Sequence, residues 1–345
     1  MYPASFDYVV PATLEEALET LGRYEDDAKV LAGGQSLIPL MKLRLAAPRV
    51  LVDINRLSGL DTLAEENGGL RIGALVRTKT CERSELLGGR WGTLGAAAPL
   101  ISDPIIRNLG TVCGSLAHAD PQGDWGSALL AMDAEVVARS PDGTRTIPLG
   151  ELFQGPFVTS LEPTEIITEV RVPDPGPTAG GTYLKLERKV GDFATVGVAV
   201  HLSMDDGRVG RAGIALTAVG PTNLRATAAE EALAGSELTD AVIREAGRLA
   251  AEAAQPYSDT RGTAAYKRTV VRVFTERGLR AAAEAVGARP AGEAGQGGHA
   301  AAGPVTTEAA LEETDRQDYF SGEETIAGVL DELEDKPGGP DGGER

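Results

Sequence analysis

Two periods of apolar residues alternate along the chain. Phe6–Val9 is a short run of strand character, and Leu14, Leu18 and Leu21 then fall at i, i+4 and i+7, one face of a helix. Thr13 precedes that helix and Glu16 follows three residues later, the pattern of a capping box. Ala28–Ala32 reads as a buried strand ending in Gly33-Gly34, Leu37–Leu45 as a short helix or turn, and Arg49–Ile54 as another strand. Residues 1–57 are thus predicted to form a small βαβ-like unit. Over residues 58–175 the pattern predicts a larger second lobe. Leu70–Leu75 is a strand, Thr78–Glu82 opens a helix, Trp91–Leu100 is a buried helix of small residues, and Asp103–Asn108 leads into a loop. Ser127–Met132 is a helix behind that loop, Ala134–Arg139 and Arg145–Pro148 pair over the turn Ser140–Thr144, and Glu165–Val172 is a strand.

Residues 178–287 read as a separate α+β unit. Gly181–Lys189, Ala194–Met204 and Arg208–Ala218 are strand-like, with Asp205-Asp206-Gly207 as the hairpin turn between the last two. Helical patterns follow at Ala226–Ala234, Asp240–Ala254 and Thr263–Ala285, which predicts an antiparallel sheet backed by helices. Residues 288–345 change character, with a Gly/Ala-rich stretch and about 14 acidic against 4 basic residues. That composition predicts a disordered, solubilising acidic tail. Within it, Ser321–Leu333 carries apolar residues at helical spacing and could instead dock on a partner as one amphipathic helix.

Composition narrows the classes of function. The 345 residues carry a formal net charge of −18, which argues against general nucleic-acid binding. Aromatics are only 4%, so aliphatic side chains must do most of the packing. No apolar run approaches the roughly 18–20 residues that span a bilayer, and the N-terminus lacks the basic-then-apolar order of a signal peptide, so a cytoplasmic location is expected. The only cysteines, Cys81 and Cys113, cannot supply the four thiolates of a 2Fe–2S cluster, and the three histidines are scattered. Any redox chemistry here needs an organic cofactor, with metals on partner chains.

Two small-residue strings suggest where such a cofactor would lie. Leu31–Arg44 (LAGGQSLIPLMKLR) and Thr111–Trp125 (TVCGSLAHADPQGDW) are about 80 residues apart, and each adjoins an apolar segment. The second is too poor in bulk to build a core. Chains this bare let backbone N–H groups approach an anion, which predicts one phosphate-bearing ligand between two lobes. Neither string is a dinucleotide fingerprint or a Walker loop. His118 stands in the second string without an identifiable partner and is read as structural or cofactor-packing, as His201 is read as structural. Asp120 is equally an Asx-turn residue before Pro121 or a ligand, and Cys81 is read as a small buried hydrophobe.

The strings AGGQSLIPLMKLR and TVCGSLAHADPQGDW, with VGPTNLRATAAEEAL and SDTRGTAAYKR further on, resemble the FAD-binding medium subunit of the molybdenum hydroxylases, in particular that of aerobic carbon monoxide dehydrogenase. The resemblance runs from residue 1 to about 285. It implies an α+β fold in which residues 1–175 form a two-lobed vanillyl-alcohol oxidase-like FAD-binding domain. Residues 178–287 would be the family's C-terminal domain. The FAD diphosphate would be held by backbone groups of Ala32, Gly33, Gly34, Gln35, Ser36 and Leu37 on one side and of Thr111, Val112, Cys113, Gly114 and Ser115 on the other. Asp124 would accept hydrogen bonds from a polar part of the cofactor, Leu161 and Lys185 would lie at its adenine or flavin end, and Phe193 near the isoalloxazine. Family members usually have Gly-Gly where this chain has Cys113-Gly114, and a side chain there would be strained at positive φ, so weaker FAD binding is expected.

The implied role is an electron relay with no general acid or base on this chain. A molybdenum-cofactor large subunit would oxidise the substrate, a 2Fe–2S small subunit would pass the electrons on, and FAD here would hand them to quinone, oxygen, nicotinamide or a protein. A heterotrimer, doubled, is the implied assembly. Two other classes stay open from sequence: a self-contained FAD oxidase or dehydrogenase of a small substrate, and a cofactor-less scaffold subunit.

Overall fold

Helix α1 (Leu14–Tyr24) shows why the first element forms where it does. Thr13 Oγ1 accepts from the Glu16 amide at 3.2 Å, and the Glu16 carboxylate accepts from the Ala12 amide at 2.7 Å, one residue upstream of the usual capping-box partner. Ala17, Leu18 and Leu21 are buried along its inner face. A computed structural model describes residues 2–288; the tail beyond, including Ser321–Leu333, lies outside the described residues.

Three sheets organise the described chain, together with one small hairpin. In the first, β1 (Asp7–Val9) and β2 (Ala28–Leu31) flank β3 (Val50–Asp53), all parallel, with helix α2 (Leu37–Lys42) in the β2–β3 connection. The second begins with β4 (Leu63–Glu66) and β5 (Gly69–Gly73). The chain then makes five short helices: α3 (Thr78–Arg83), α4 (Gly92–Ala97), α5 (Pro104–Leu109), α6 (Val112–His118) and α7 (Asp124–Leu130). It returns through β6 (Glu135–Ser140), β7 (Gly143–Pro148), α8 (Leu149–Leu152), a small hairpin of β8 (Phe153–Gly155) and β9 (Val158–Thr159), and β10 (Ile166–Val172). The strand order is β4-β5-β10-β6-β7, antiparallel throughout.

The third sheet is β11 (Ala179–Leu186), β12 (Val196–Asp205), β13 (Arg208–Thr217) and β14 (Leu224–Arg225), in that order and antiparallel. Asp206 (φ 47°) and Gly207 (φ 77°) both take left-handed conformations, as the two-residue turn requires. Helices α9 (Thr227–Leu233), α10 (Asp240–Ala253) and α11 (Ala264–Ala285) cover it, with Val196, Val198, Val200, Ile214 and Leu216 buried against Ile243, Val271 and Phe274.

Three sequence expectations change here. Thr111–Trp125 is not an open loop: α6 and α7 occupy most of it. Thr111 Oγ1 caps α6 by accepting from Gly114 N at 3.1 Å, and Ala119 ends it at φ 51°. Nor is the string excluded from the core, since Val112, Cys113, Leu116 and Trp125 are all buried. Small residues let a helix pack closely as readily as they let a loop approach a ligand. Asp103–Asn108 is also helical, because Asp103 accepts from Ile106 N at 2.8 Å and Pro104 begins α5.

The third change concerns Cys113. It lies inside α6 with its Sγ 3.8 Å from the Ile72 carbonyl, facing the core, and it is not at positive φ. The strain expected of a side chain there is absent. Burial pushes the Cys81 thiol up to about 12 and raises that of Cys113 as well.

The third sheet meets the rest through buried polar groups. Lys185 Nζ donates to Asp124 Oδ2 at 3.0 Å and to the Leu100 carbonyl at 2.8 Å, and pairs with Glu187 at 3.3 Å. Tyr183 Oη donates to Asp124 Oδ1 at 2.7 Å and lies 3.0 Å from Thr217 Oγ1, which is in turn hydrogen-bonded to Ser127 Oγ. Burial pushes the Asp124 carboxyl up, against the lowering influence of Lys185 and Tyr183. His201 on β12 sits 3.0 Å from Thr93 Oγ1 of α4, and burial depresses it to about 4, so it is neutral at pH 7.

Two outcomes are expected. In the native chain at pH 8 a disulfide thiol reagent should label neither cysteine, and both should react once the chain is unfolded; rapid native labelling of Cys113 would contradict its core-facing placement. Lys185→Met should cost about 3–5 kcal/mol in urea unfolding, because it strands a buried carboxylate, and adding Asp124→Leu should recover most of the loss.

Candidate functional site

The first glycine string leaves the end of β2 and turns into α2. Gly34 adopts φ 70° there, and Ile38 N bonds back to Gly34 O at 3.0 Å. The amides of Gly33, Gly34, Gln35 and Ser36 donate to no protein acceptor among the described residues. Gln35 turns its Nε2 back to the Gly33 carbonyl at 3.1 Å, which stiffens the loop. Four consecutive unpaired N–H groups at a helix start form a concave donor set suited to an anion.

The two strings meet. A Cβ on Gly33 would collide with the Leu109 carbonyl oxygen and stand 2.8 Å from Gly110 Cα, so only glycine permits the approach. Two side chains that the sequence did not single out join the segments. Asn55 Nδ2 donates to the Ala32 carbonyl at 2.8 Å, and Arg77 donates from Nη2 to Asn55 Oδ1 and from Nη1 to the Leu109 carbonyl. The backbone beside Arg77 joins as well: Thr78 N bonds to Gly110 O at 2.9 Å and Val112 N to Val76 O at 3.2 Å. Burial lowers the Arg77 guanidinium from its usual value, with Asp53 opposing. A half-buried cation therefore sits where the two strings converge.

The second string contributes fewer donors than expected. Val112 N, Gly114 N and Ser115 N already have protein acceptors, while the Cys113 amide has none among the described residues. Instead α6 offers a bare surface, with Gly114 and Ala117 as its exposed positions and Ser115 and His118 half-buried beside them. The His118 ring packs on Phe157 at 5.1 Å between centroids, and burial lowers its pKa. Asp120 is an Asx-turn residue, accepting from Gln122 N at 2.9 Å.

Asp124 and Lys185 come together, but as partners of each other. The Asp124 oxygens accept one each from Tyr183 and Lys185, so both are engaged within the protein. The backbone alternation of β11 brings residues 183 and 185 to one face, toward α7; the spacing from position 124 carried no sequence signal. Trp125 Nε1 donates to Thr78 Oγ1 at 3.1 Å and ties this pair to the segment that meets Gly110. Leu161 packs half-buried on the first core. Phe193 is half exposed in the β11–β12 loop. A cavity of about 590 Å³, with Asp120, Phe157 and Tyr257 on its walls, includes none of the expected cofactor residues.

Comparison with known proteins agrees with this architecture. The family model described as the FAD binding domain in molybdopterin dehydrogenase matches residues 4–175, and that of the CO dehydrogenase flavoprotein C-terminal domain matches residues 181–282. The carbon monoxide dehydrogenase medium chain of Hydrogenophaga pseudoflava is 39% identical over 282 residues, 82% of this chain and 98% of that one. A 6-hydroxypseudooxynicotine dehydrogenase complex subunit alpha from Paenarthrobacter nicotinovorans is 41% identical over 280 residues, 81% and 95% of the two chains. A solved structure of carbon monoxide dehydrogenase from Hydrogenophaga pseudoflava superposes with a TM-score of 0.80 at 41% identity, covering 83% of this chain and 99% of that chain. The unpaired amides, the bare α6 surface and the half-buried guanidinium suit a flavin dinucleotide. The chain belongs to the family of FAD-binding medium subunits of molybdenum hydroxylases, alongside the carbon monoxide dehydrogenase medium chains, and FAD is its cofactor.

Proposed function

We propose that the chain is the FAD-carrying electron-transfer subunit of a cytoplasmic molybdenum hydroxylase complex of the carbon monoxide dehydrogenase type. Electrons reach it from 2Fe–2S clusters on a small partner and leave to an external acceptor, while a molybdenum-cofactor large subunit oxidises the substrate. The observation that carries this reading is the close approach of Gly33 to Leu109–Gly110, with four unpaired amides on one side and Arg77 across the junction. Two cysteines cannot hold a 2Fe–2S cluster, so clusters belong to another chain. No helix among the described residues is long and apolar enough to cross a membrane.

FAD supplies the redox chemistry, taking up two electrons and releasing them. The chain's own residues bind and orient it. In this reading Ala32–Leu37 and the start of α6, Thr111–Ser115, enclose the diphosphate between two lobes of vanillyl-alcohol oxidase-like design. Amide dipoles offset the phosphate charge there without a basic surface, consistent with a chain of net charge −18. Leu161 lies toward the adenine or flavin end. Asp124 and Lys185, locked together, act as a rigid wall that fixes the β11–β12 loop and Phe193 toward the flavin end. Ile105 and Leu109 on α5, and Val190 and Phe193 in the β11–β12 loop, are exposed apolar side chains that a partner subunit would cover. Relatives named for carbon monoxide and for 6-hydroxypseudooxynicotine match at 39% and 41% identity, in keeping with a substrate chosen on the large subunit.

The complex purified through a tag on this chain should contain one FAD per chain, by absorbance after acid release, together with molybdenum- and iron–sulfur-bearing partners; a flavin-free complex would refute the proposal. Gly33→Val should lower FAD affinity by at least about tenfold, or 1.4 kcal/mol, by forcing the two strings apart. Flavin retained after gel filtration reads this, and an unfolding curve separates it from global destabilisation.

A further inference from the structure

Phe193 stands at the tip of the β11–β12 loop, half exposed, yet the backbone beneath it is firmly held. Arg261 reaches it across 68 positions of sequence: Nη1 donates to the Phe193 carbonyl at 3.0 Å and to the Ala194 carbonyl at 3.1 Å, and Nη2 donates to Asp192 Oδ1 at 3.2 Å. Both charged partners are mostly buried, with 16% and 13% side-chain exposure, so solvent competes little for these bonds. A planar guanidinium is suited to such a fork, and an ammonium cannot satisfy all three acceptors with the same geometry.

Arg261 is itself braced. Its amide donates to Asp259 Oδ1 at 2.8 Å, and residues 259 and 262 exchange backbone bonds at 3.1 Å. Asp259 Oδ2 accepts from Lys267 Nζ at 2.7 Å, and Lys267 is buried on α11, where it also donates to the Tyr257 carbonyl at 3.0 Å. On its other side the loop passes close to the Ser102–Asp103 backbone, which a Cβ added to Gly191, at φ 84°, would approach to 3.4 Å. The loop that follows buried Lys185 is thus clamped from α11 and from the start of α5.

We infer that Arg261 is a positioning residue: its guanidinium, on a backbone held by Asp259 and Lys267, sets where the Phe193 ring stands at the flavin end of the cofactor site. The inference rests on the reading that the chain carries FAD with Phe193 near the isoalloxazine. An apolar ring packed against a flavin shifts its visible absorption bands and its potential, so displacement of the loop has a spectroscopic signature that a purely structural arginine lacks.

The test uses the FAD-loaded complex with Arg261→Gln, Arg261→Lys, Phe193→Leu and the Arg261→Gln/Phe193→Leu double variant, reading the visible absorption and circular dichroism of the bound flavin and its midpoint potential. Arg261→Gln should shift the flavin bands and the potential in the same direction as Phe193→Leu. Arg261→Lys should fall between it and the wild type, and the double variant should go no further than Phe193→Leu alone, because the two residues act through one ring. Arg261→Gln with unchanged flavin bands and potential while Phe193→Leu moves both, or full additivity in the double variant, would overturn the inference and leave the FAD reading intact. A wild-type complex without flavin would overturn that reading instead, and the inference with it. Should Arg261→Gln fail to assemble, Asp192→Asn removes the charge from the carboxylate that Nη2, the Phe193 amide and Arg188 share, keeps both Nη1 contacts, and should give a smaller change of the same sign; no change would count against the inference. In the full-length chain, Arg261→Gln should also speed tryptic cleavage after the exposed Arg188 and Lys189 of the same loop.

Discussion

The site depends on one steric constraint, the contact of a backbone with a backbone at residue 33. β2 can deliver its loop onto Leu109–Gly110 only because nothing projects from Gly33. The neighbouring string is constrained in turn, since a Cβ on Gly110 would stand 3.1 Å from the Ile106 carbonyl. Carbonyl oxygens crowd this junction, and Arg77 and Asn55 satisfy them. That arrangement divides the labour between the strings. The first keeps its amides free, while the second spends most of its own on α6 and on the Arg77 segment, and contributes a smooth surface.

A second constraint governs how the third sheet attaches. Glu187, Lys185, Asp124, Tyr183, Thr217 and Ser127 form a continuous buried polar line from β11 and β13 to α7. Buried groups of this kind are costly unless each finds its partner, so they specify one docking geometry more sharply than apolar contact would. The backbone of Gly213 lies directly under the Ala131 carbonyl at the same junction, leaving no space for a side chain.

Much of the fold was legible because its signals are local. The Leu14–Leu21 spacing with Thr13 and Glu16, the Ser140–Thr144 turn, the Asp206-Gly207 turn and the helices of the last third all stand close to where periodicity and capping place them. β4, with two exposed glutamates, and the two- and three-residue strands of the small hairpin carry too little apolar pattern to be seen. The run of small residues in α6 was ambiguous for a physical reason: low bulk marks close approach without saying whether a ligand or the protein approaches. In the site, Gly33-Gly34 alone reads as no more than a turn, and only the longer string around it points to a ligand. Asn55, Arg77 and Arg261 were not legible, because each acts on a residue 22 to 69 positions away and none sits in a periodic pattern.

His201 carries a consequence for the molecule in acid. It stands neutral and buried between β12 and α4, on the seam where β11–α11 joins the rest, and its Nε2 finds no partner among the described residues. Its native pKa of about 4 lies below the usual 6.5, so as pH falls from 6.5 the unfolded chain takes up the proton first and stability declines until the native ring also titrates near 4. Protons thereby act as a ligand of the opened form. Mild acidity would loosen this seam before Asp53, which accepts from Asn55 beside the glycine-lined junction and is held below its usual range against burial by hydrogen bonds from Tyr8 and Asn55, loses its charge.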